Sequence, residues 1–238
     1  MPDDPRRSIV IPMFNEANRI AASLARIASD AALTPGLELV LVDDGSTDAT
    51  VAVARQALET SGLSGVVVKR DHEGKGAAVA AGTALARGGV VGFVDADLST
   101  DVDAISAVFD AVEHAGVDIA IASRRLPDST IARPQPRHRE LAGRSFNLVL
   151  RALGLTTRSD TQCGCKAFTA EAVEITVSGV TATGFCFDVE VLLRADRADL
   201  TVVEVPVAWR HADESSVRLL GDAPSVVREL YRLRRRYR

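Results

Sequence analysis

The sequence predicts an α/β fold with a mostly parallel central sheet and helices on both of its faces. Two observations lead to this prediction. Short β-branched runs alternate with helical patterns through the first half of the chain, and this alternation is typical of parallel sheets whose faces are both covered. The chain also has 238 residues, of which 47% are hydrophobic, so it is long enough to bury a sizeable core in one large domain or two small ones.

Five strands and four helices are predicted in the first half of the chain. Asn15 is predicted to cap the first helix, and Ser46 or Thr47 the second, because their side-chain oxygens can accept a free backbone N–H. The strands are predicted at 8–14, 37–44, 65–69, 90–97 and 117–124. The helices are predicted at 16–32, 47–60, within an Ala-rich stretch at 74–88, and at 101–115.

The second half is less regular. Residues 127–140 are rich in Pro and Arg and are predicted to form a mobile loop. The remaining elements are predicted as helices at 140–153, 185–197 and 222–238, a polar loop at 159–169 that leads into a short apolar segment, and a strand at 200–210.

The composition narrows the possible partners. Aromatic residues make up 4% of the chain, which argues against a stacking surface for single-stranded nucleic acid, so no nucleic-acid partner is expected. Residues 1–123 carry 9 Lys and Arg against 18 Asp and Glu, whereas residues 124–238 carry 19 against 14. The basic second half indicates an anionic partner such as a phosphate or a membrane surface.

Three cysteines, Cys163, Cys165 and Cys186, make a poor disulfide framework. Their odd number and the lack of a recognisable signal peptide predict a reducing, cytoplasmic setting. We expect Cys163 and Cys165 to pack in the core, and half of a metal site is the alternative.

No apolar stretch approaches the roughly 20 residues that span a bilayer, so any membrane contact is expected to be peripheral. The last helix intersperses Val, Leu and Tyr with six arginines. Such a basic amphipathic helix can lie on an anionic membrane, or it can be a solvated run of charge with one face docked on the domain. Residues 144–155 are a second candidate of the same kind.

Polar side chains gather where the predicted strands end. Ligands of open parallel sheets bind beyond the carboxyl ends of the strands. One polar strand end is unremarkable, but four in one sheet indicate a binding site. They are Asn15 with Glu16, Asp43 with Asp44, Asp95 with Asp97, and Arg124.

Asp95 and Asp97 are separated by Ala96 at the end of the fourth strand. Strand pleating puts residues i and i+2 on the same side, so both carboxylates can face one ion. Their oxygens suit Mg²⁺ or Mn²⁺ with an open side for phosphates. The alternative is a turn or a cap for the next helix.

Two other loops carry candidate ligand-binding groups. A strand-end carboxylate such as Asp43 or Asp44 can accept a hydrogen bond from a ribose hydroxyl or a base N–H. Gly74 and Gly76 allow a close backbone approach, and Lys75 between them lies where a helix begins, a place that favours anions.

Taken in order, these motifs resemble those of the family 2 glycosyltransferases. The motifs are IVIPMFNE (9–16), LVDDGSTD (41–48), GKG (74–76), VDADLS (94–99) and SR (123–124). The second half resembles the dolichyl- and polyprenyl-phosphate sugar synthases of that family, the β-glucosyltransferases above all. The segments concerned are SDTQCGCKAF (159–168), FCFDVEVL (185–192) and VVEVPVAWRH (202–211). The resemblance covers about residues 8–216.

The resemblance implies one domain of the GT-A fold over residues 1–238. Within it, residues 8–124 would bind the nucleotide sugar, residues 125–216 would bind the acceptor, and residues 217–238 would form the basic C-terminal helix. Glycosyltransferases of this fold use nucleotide sugars with a divalent metal ion.

The resemblance also implies roles for individual residues. Asp97, together with Asp95, would bind the metal. The nucleotide-sugar site would comprise Pro12, Phe14, Asn15, Glu16, Asp43, Asp44, Lys75, Asp95, Ala96 and Asp97. The catalytic group would comprise Asp95, Asp97, Arg124, Arg144, Asp160 and Gln162. The acceptor phosphate would meet Arg144, Gln162 and Lys166.

The implied reaction moves a hexose, with glucose from UDP-glucose the best expectation, onto a polyprenyl or dolichyl monophosphate, with inversion and with Mg²⁺ or Mn²⁺. It would take place at the inner face of the membrane. A phosphate monoester, with a second pKa of about 6, is already mostly dianionic at neutral pH, so a strong general base is unnecessary. Ser99 stands where many mannosyl relatives carry Gln, which favours UDP-glucose over GDP-mannose.

Four alternatives stay open. They are a GDP-mannose-dependent mannosyltransferase, a family 2 enzyme with a soluble phosphorylated acceptor, a non-enzymatic nucleotide-binding module that recruits partners to membranes, and a phosphatase whose nucleophile motif DADLST partly mimics. The sequence leaves the lipid length, the oligomeric state and the pathway open.

Overall fold

The computed structural model describes residues 6–211 and 223–237. Its centre is a seven-stranded sheet with the strand order β3-β2-β1-β4-β7-β5-β8. Strand β7 runs antiparallel to both of its neighbours, and the other pairs in this sheet are parallel. The strands of the sheet are β1 (Arg7–Met13), β2 (Leu37–Asp43), β3 (Ser64–Lys69), β4 (Val90–Val94), β5 (Ile119–Ser123), β7 (Cys165–Thr169) and β8 (Val202–Pro206).

Helices flank the sheet, and a two-stranded parallel ribbon pairs β6 (Thr130–Arg133) with β9 (Ala208–Arg210). The helices are α1 (Ile20–Ala28), α2 (Thr50–Ser61), α3 (Lys75–Thr83), α4 (Val102–Ala115), α5 (Arg137–Ala152), α6 (Ala170–Thr176), α7 (Phe187–Arg197) and α8 (Ala223–Tyr237). This architecture confirms the predicted α/β class with a mostly parallel sheet.

The sheet is buried on both faces because its strands are apolar at successive positions, as in parallel sheets generally. Ile9 and Ile11 point into a core layer shared with α1, α2 and α4. The intervening Val10 points into a second layer, which is completed by α3, α6 and α7. A third cluster joins α5, α7 and α8 through Leu150, Leu193, Leu230 and their neighbours. This third cluster attaches the basic C-terminal helix to the domain.

Two predicted helix caps are wrong. Helix α1 begins at Ile20 rather than at 16, and Asn15 has a left-handed backbone with φ of 57°. Its side-chain oxygen instead accepts the backbone N–H of Thr47 at 2.9 Å. Helix α2 begins at Thr50, where the Asp48 carboxylate accepts the backbone N–H. The two loops thus use their polar groups to bind each other at the sheet edge.

The second half also differs from the prediction in detail. The segment 127–140, predicted to be a mobile loop, contains β6 and the start of α5. The predicted strand at 200–210 is divided at Val207 into β8 and β9, which belong to different sheets. Residues 217–222 and 238 of the predicted C-terminal segment lie outside the described residues. Among the described helices, none is long and apolar enough to cross a membrane.

Gly92, in the middle of β4, gives a test of this packing. A Cβ at this position would lie 2.5 Å from the Lys166 carbonyl oxygen on β7 and 2.5 Å from the Phe109 ring on α4. Because overpacking forces neighbours apart, we expect Gly92→Ala to lower the free energy of unfolding by about 1–3 kcal/mol, measured by urea denaturation. Gly89→Ala is the control, since its nearest neighbouring atom is 3.8 Å away. Equal stability of the two variants would contradict the packing described.

Candidate active site

The strand order brings three of the predicted motifs together. Strands β2, β1 and β4 are neighbours, so their carboxyl ends present Asp43, Phe14 to Glu16, and Asp95 along one edge. Strand β7 begins at the same edge because it is antiparallel, with Cys165 opposite Val94. The loop before β7 therefore reaches the strand-end carboxylates.

Asp95 forms an ion pair with Lys75, the first residue of α3, with 2.6 Å between Oδ1 and Nζ. Burial and the neighbouring Asp97 raise the pKa of Asp95 above its ordinary value, against the opposing effect of Lys75. Burial opposes the charge on Lys75, but Asp95 and Asp188 outweigh it and raise its pKa. The raised pKa of Lys75 keeps its ammonium charged at neutral pH. Glu16 belongs to the same surroundings, since burial, with help from Asp95 and Asp97, raises its pKa although Arg19 binds it at 2.7 Å.

Asp95 and Asp97 suit a divalent cation. Their described contacts use Oδ1 of each carboxylate: Asp95 with Lys75, and Asp97 with the backbone N–H of Ser99 at 2.9 Å. Leu98 between them has a left-handed φ of 44°. Carboxylate oxygens are the ligands that Mg²⁺ and Mn²⁺ prefer, and Mg²⁺ typically takes one or two carboxylates and completes its shell with water and phosphate oxygens. The donor set fits the metal predicted from the sequence.

Gly164 shapes this site from the other side. Its carbonyl accepts the backbone N–H of Asp95 at 2.8 Å. A Cβ at residue 164 would lie 1.8 Å from Asp95 Oδ2, so no other residue type fits without displacing the carboxylate. The glycine between Cys163 and Cys165 thus allows the β7 backbone to support Asp95. Both cysteines are buried, free thiols, which confirms that they pack in the core.

The two aspartates after β2 have different surroundings. Asp43 is fully buried, with Oδ2 accepting the Ser46 N–H at 3.2 Å and Oδ1 left without a partner among the described residues. Both oxygens of Asp44 are engaged, by the backbone N–H groups of Glu73 and Gly74 at 3.0 and 2.9 Å. Asp43 therefore keeps one unpaired, buried acceptor, whereas Asp44 holds the loop before α3.

The other predicted nucleotide contacts border this loop. The ring of Phe14 stacks on that of His72, with 4.4 Å between centroids. Pro12 lies on β1 opposite Val42, and Ala96 is buried in the core. The Asn15 amide is occupied by the Thr47 backbone, so it orders the loop rather than standing free.

Arg124 and Asp160 form a buried, two-pronged ion pair. The guanidinium Nε and Nη2 donate to the two carboxylate oxygens at 2.6 and 2.9 Å, and the Arg124 backbone N–H donates as well, at 3.1 Å. Burial alone would favour a neutral Asp160, but the charge of Arg124 outweighs it and lowers the pKa of the carboxyl. Arg124 also lies over the ring of Trp209, 5.4 Å from its centroid. Asp160 is thus placed to orient Arg124.

Gln162, two residues later, has a buried side-chain nitrogen with no partner among the described residues. Buried polar groups in folded proteins are nearly always hydrogen-bonded. The open donor of Gln162 is therefore a candidate contact for a ligand, in keeping with the prediction from its motif.

Arg125, which the sequence analysis passed over, completes a group of four arginines. Burial, opposed by Asp160 and reinforced by Arg124, Arg144 and Arg151, lowers the pKa of Arg125. Neighbouring guanidinium groups repel one another, so this group of arginines is suited to bind an anion. The sequence signal that could have identified Arg125 is its position directly after Arg124, at the end of β5.

Arg144 lies on the exposed side of α5, where it pairs with Glu140 one turn earlier at 2.6 Å. The side chain is 69% exposed, so it is free to reorient toward a ligand. A Cβ on Gly143, the preceding residue, would lie 3.6 Å from Arg125 Nη2, so this turn of α5 packs beside Arg125.

Lys166 has a different position from the one predicted. Its side chain is fully buried, and the ammonium donates to the Asp188 carboxylate at 2.5 Å and to the Cys163 carbonyl at 2.8 Å. With no side open to solvent, it is not placed to contact an acceptor phosphate. No sequence pattern indicated that Lys166 is paired, because its partner Asp188 lies 22 residues further along the chain.

The Arg124–Asp160 pair gives a stability prediction. Removing one partner of a buried ion pair leaves an uncompensated charge, so Asp160→Asn should lower the free energy of unfolding by about 3–5 kcal/mol. The control is Asp196→Asn, because Asp196 is 46% exposed in its pair with Arg158 and its loss should cost less than about 1 kcal/mol. Chemical denaturation measures both. Wild-type stability of Asp160→Asn would show that the pair does not hold this part of the fold.

Curated proteins similar to this chain include a protein named dolichyl-phosphate beta-glucosyltransferase from Saccharomyces cerevisiae, 30% identical over 97% of this chain and 74% of its own length. Polyprenol monophosphomannose synthase from Mycolicibacterium smegmatis is 32% identical over 91% of this chain and 82% of its own. Glycosyltransferase AglD from Haloferax volcanii is 30% identical over 90% of this chain, which spans 35% of that protein.

Among solved structures, glucosyl-3-phosphoglycerate synthase from Mycobacterium tuberculosis in complex with Mn²⁺, UDP-glucose and phosphoglyceric acid has the same fold. Its TM-score is 0.73 at 22% identity, over 97% of this chain and 79% of that one. The family model for glycosyl transferase family 2 matches residues 8–175. That range covers the strand-end carboxylates, the Lys75 loop and the Arg124–Asp160 pair, and the chain belongs to glycosyl transferase family 2.

Proposed function

We propose that this glycosyltransferase moves glucose from UDP-glucose onto a polyprenyl monophosphate, inverts the anomeric centre and uses Mg²⁺ or Mn²⁺. The observation that carries the proposal is the position of Arg124 at the same sheet edge as Asp95. Asp95 follows β4 and Arg124 follows β5, and only β7 lies between these two strands, so a donor bound at the carboxylates and an anion bound at the arginines would be neighbours. The names of the yeast and mycobacterial relatives support a polyprenyl phosphate as that anion.

The surroundings of Asp43 support uridine as the nucleoside. A single acceptor, Oδ1, is left open in the buried carboxylate, because Oδ2 accepts the Ser46 N–H. Uracil presents one N–H donor at its ring edge, whereas guanine presents two donors side by side that match both oxygens of a carboxylate. One open oxygen therefore favours uracil, and Phe14 stacked on His72 supplies an aromatic surface nearby.

The acceptor side supports a phosphate monoester. The guanidinium groups of Arg124, Arg144 and Arg151 act on Arg125, and Asp160 and Glu140 pair with Arg124 and Arg144. Such an arginine-rich region suits a phosphate dianion, which guanidinium groups bind through paired N–H donors. Neutralised and oriented in this way, the phosphate oxygen can attack the sugar without a strong general base.

The donor side needs stabilisation of the leaving diphosphate. A divalent cation held by Asp95 and Asp97 would supply Lewis-acid stabilisation of that charge. Lys75 adds a fixed positive charge at the start of α3, where backbone N–H groups also favour anions. Structures of the mycobacterial fold neighbour contain Mn²⁺ or Mg²⁺ together with UDP, in keeping with this assignment.

Peripheral membrane contact is part of the proposal. Of eight exposed large apolar residues in the part of the chain that the structure describes, five lie on α5 and α8: Leu141, Leu148, Val149, Val227 and Tyr231. Both helices bury their opposite faces in the third core cluster, and α8 carries three arginines in its last turn. Apolar side chains beside arginines suit the interface of an anionic membrane, where a polyprenyl phosphate would be found.

The decisive experiment measures transfer of labelled sugar from UDP-glucose, UDP-N-acetylglucosamine or GDP-mannose to a polyprenyl phosphate with Mg²⁺ or Mn²⁺, counted in the organic phase. Label from UDP-glucose supports the proposal. Label from GDP-mannose would instead make the chain a mannosyltransferase, as the mycobacterial relative is named. Transfer to a soluble phosphorylated acceptor alone would discard the lipid, and an absence of turnover would favour a nucleotide-binding module.

The metal role predicts a severe effect of Asp97→Ala in the same assay. Losing a ligand to the ion that stabilises the leaving group should lower kcat by roughly 10²–10³-fold, comparable to the loss of one oxyanion donor. Asp103→Ala, which removes an exposed carboxylate in the first turn of α4, should leave kcat unchanged. Normal turnover of the Asp97 variant with metal present would refute the assignment.

Membrane contact is tested by co-sedimentation with vesicles that contain phosphatidylglycerol. We expect wild-type protein to bind, and Leu141→Ser with Leu148→Ser or Val227→Ser with Tyr231→Ser to weaken binding by about tenfold or more, since each buried apolar side chain contributes about 1.5–3 kcal/mol. Val66→Ser with Leu85→Ser removes two apolar side chains that are exposed elsewhere on the surface and should have no effect. Equal losses in all three variants would indicate non-specific adsorption.

A further inference from the structure

Asp188, in the first turn of α7, is a buried carboxylate to which the proposed function assigns no role. It is 5% exposed, and its Oδ1 accepts a hydrogen bond from the Lys166 ammonium at 2.5 Å. Lys166 in turn lies on β7, opposite Phe93 of β4. One possible role is purely structural, since Asp188 compensates the buried charge of Lys166.

The surroundings of Phe93 favour a larger role. The ammonium nitrogens of Lys75 and Lys166 each lie 5.3 Å from the centroid of the Phe93 ring, so they are no more than twice that distance apart. The negative charge of Asp188 acts on Lys75 as well as on its direct partner Lys166. One carboxylate thus influences two ammonium groups that share an aromatic ring.

The first turns of α3 and α7 are also packed directly together. The Gly76 N–H donates to the Thr183 carbonyl at 2.8 Å. A Cβ on Gly76 would lie 2.7 Å from the Phe187 ring, so glycine is needed for this contact. Lys75 and Asp188 are each adjacent in sequence to one of these contacting residues. Their relative position is therefore restricted by the packing of the Gly76 backbone against the Thr183 carbonyl and the Phe187 ring.

We infer that Asp188 is a positioning residue that keeps the Lys75 ammonium on Asp95, beside the leaving group. Within this group, Lys75 and Lys166 balance two of the three carboxylates Asp95, Asp97 and Asp188. The single remaining negative charge is what a divalent cation would meet. The inference rests on the proposed function, because it assigns Lys75 to the donor side of a sugar transfer.

A single substitution of Asp188 cannot separate positioning from stability, since Asp188→Asn leaves Lys166 charged and buried. The paired variant Lys166→Met with Asp188→Leu removes one positive and one negative charge, so the net charge of the group is unchanged. Apolar replacements of a buried ion pair are commonly tolerated or stabilising. We expect this variant to keep a melting temperature within a few degrees of wild type. Lys166→Met alone leaves the Asp188 charge without its direct partner and is expected to melt lower, so it serves as the functional control at a temperature where it is folded.

Two readouts test the inference. In the paired variant kcat should fall by roughly 10–100-fold, as for residues that orient ligands indirectly, while KM for the polyprenyl phosphate stays unchanged. Binding of UDP with Mn²⁺, measured by calorimetry and independent of any acceptor, should weaken by about tenfold or more. Lys166→Met, which keeps Asp188 beside Lys75, should lose clearly less in both measurements.

Three results would overturn the inference. Wild-type kcat and UDP binding in the folded paired variant would reduce Asp188 to a stabilising partner. Equal losses in Lys166→Met and the paired variant would assign the effect to Lys166. A rise of KM for the lipid alone would place the pair on the acceptor side. If wild-type protein transfers no sugar, the proposed function fails, but the calorimetric comparison still decides whether Asp188 positions Lys75.

Discussion

The ion pair between Lys75 and Asp95 connects the parts of this site. Lys75 begins α3, Asp95 follows β4, and Gly164 before β7 supports Asp95 from the other side. Each belongs to a different segment, and all three meet because β7 enters the sheet antiparallel beside β4. Any displacement of this pair would move the metal ligands and the fixed positive charge together. The tight packing of glycines around it, at residues 76 and 164, restricts such displacement.

Charge is divided across the site in a way that suits two anionic substrates. The carboxylates at the end of β4 leave a small negative excess that a metal ion would reverse. The arginines after β5 and on α5 form a basic region. Arg124 is held by Asp160 at the end of β5, and only β7 separates that strand from β4, which precedes Asp95. The acidic and basic regions are therefore distinct but adjacent.

The sequence predicted the fold class and most strand positions, since apolar runs and strand-end carboxylates are local patterns. It was less able to assign partners. The predicted caps at Asn15 and Ser46 failed because these polar groups bind across loops. Lys166 was expected at the acceptor phosphate, yet it is buried on Asp188, because an ion pair between residues 22 positions apart leaves no periodic signal. Arg125 was missed although it adjoins Arg124, since only the packing of α5 brings the other arginines near.

The placement of β7 also has a consequence for how the chain acquires its structure. Strand β5 pairs with β7 and β8 but not with β4, so both of its neighbours are supplied by residues beyond 164. A growing chain that has reached Ser123 has β5 without either partner and β4 with one edge open. Such late, long-range pairing slows folding and leaves edges exposed to association. Residues 8–124 are therefore expected to be a poor candidate for production as a separate fragment.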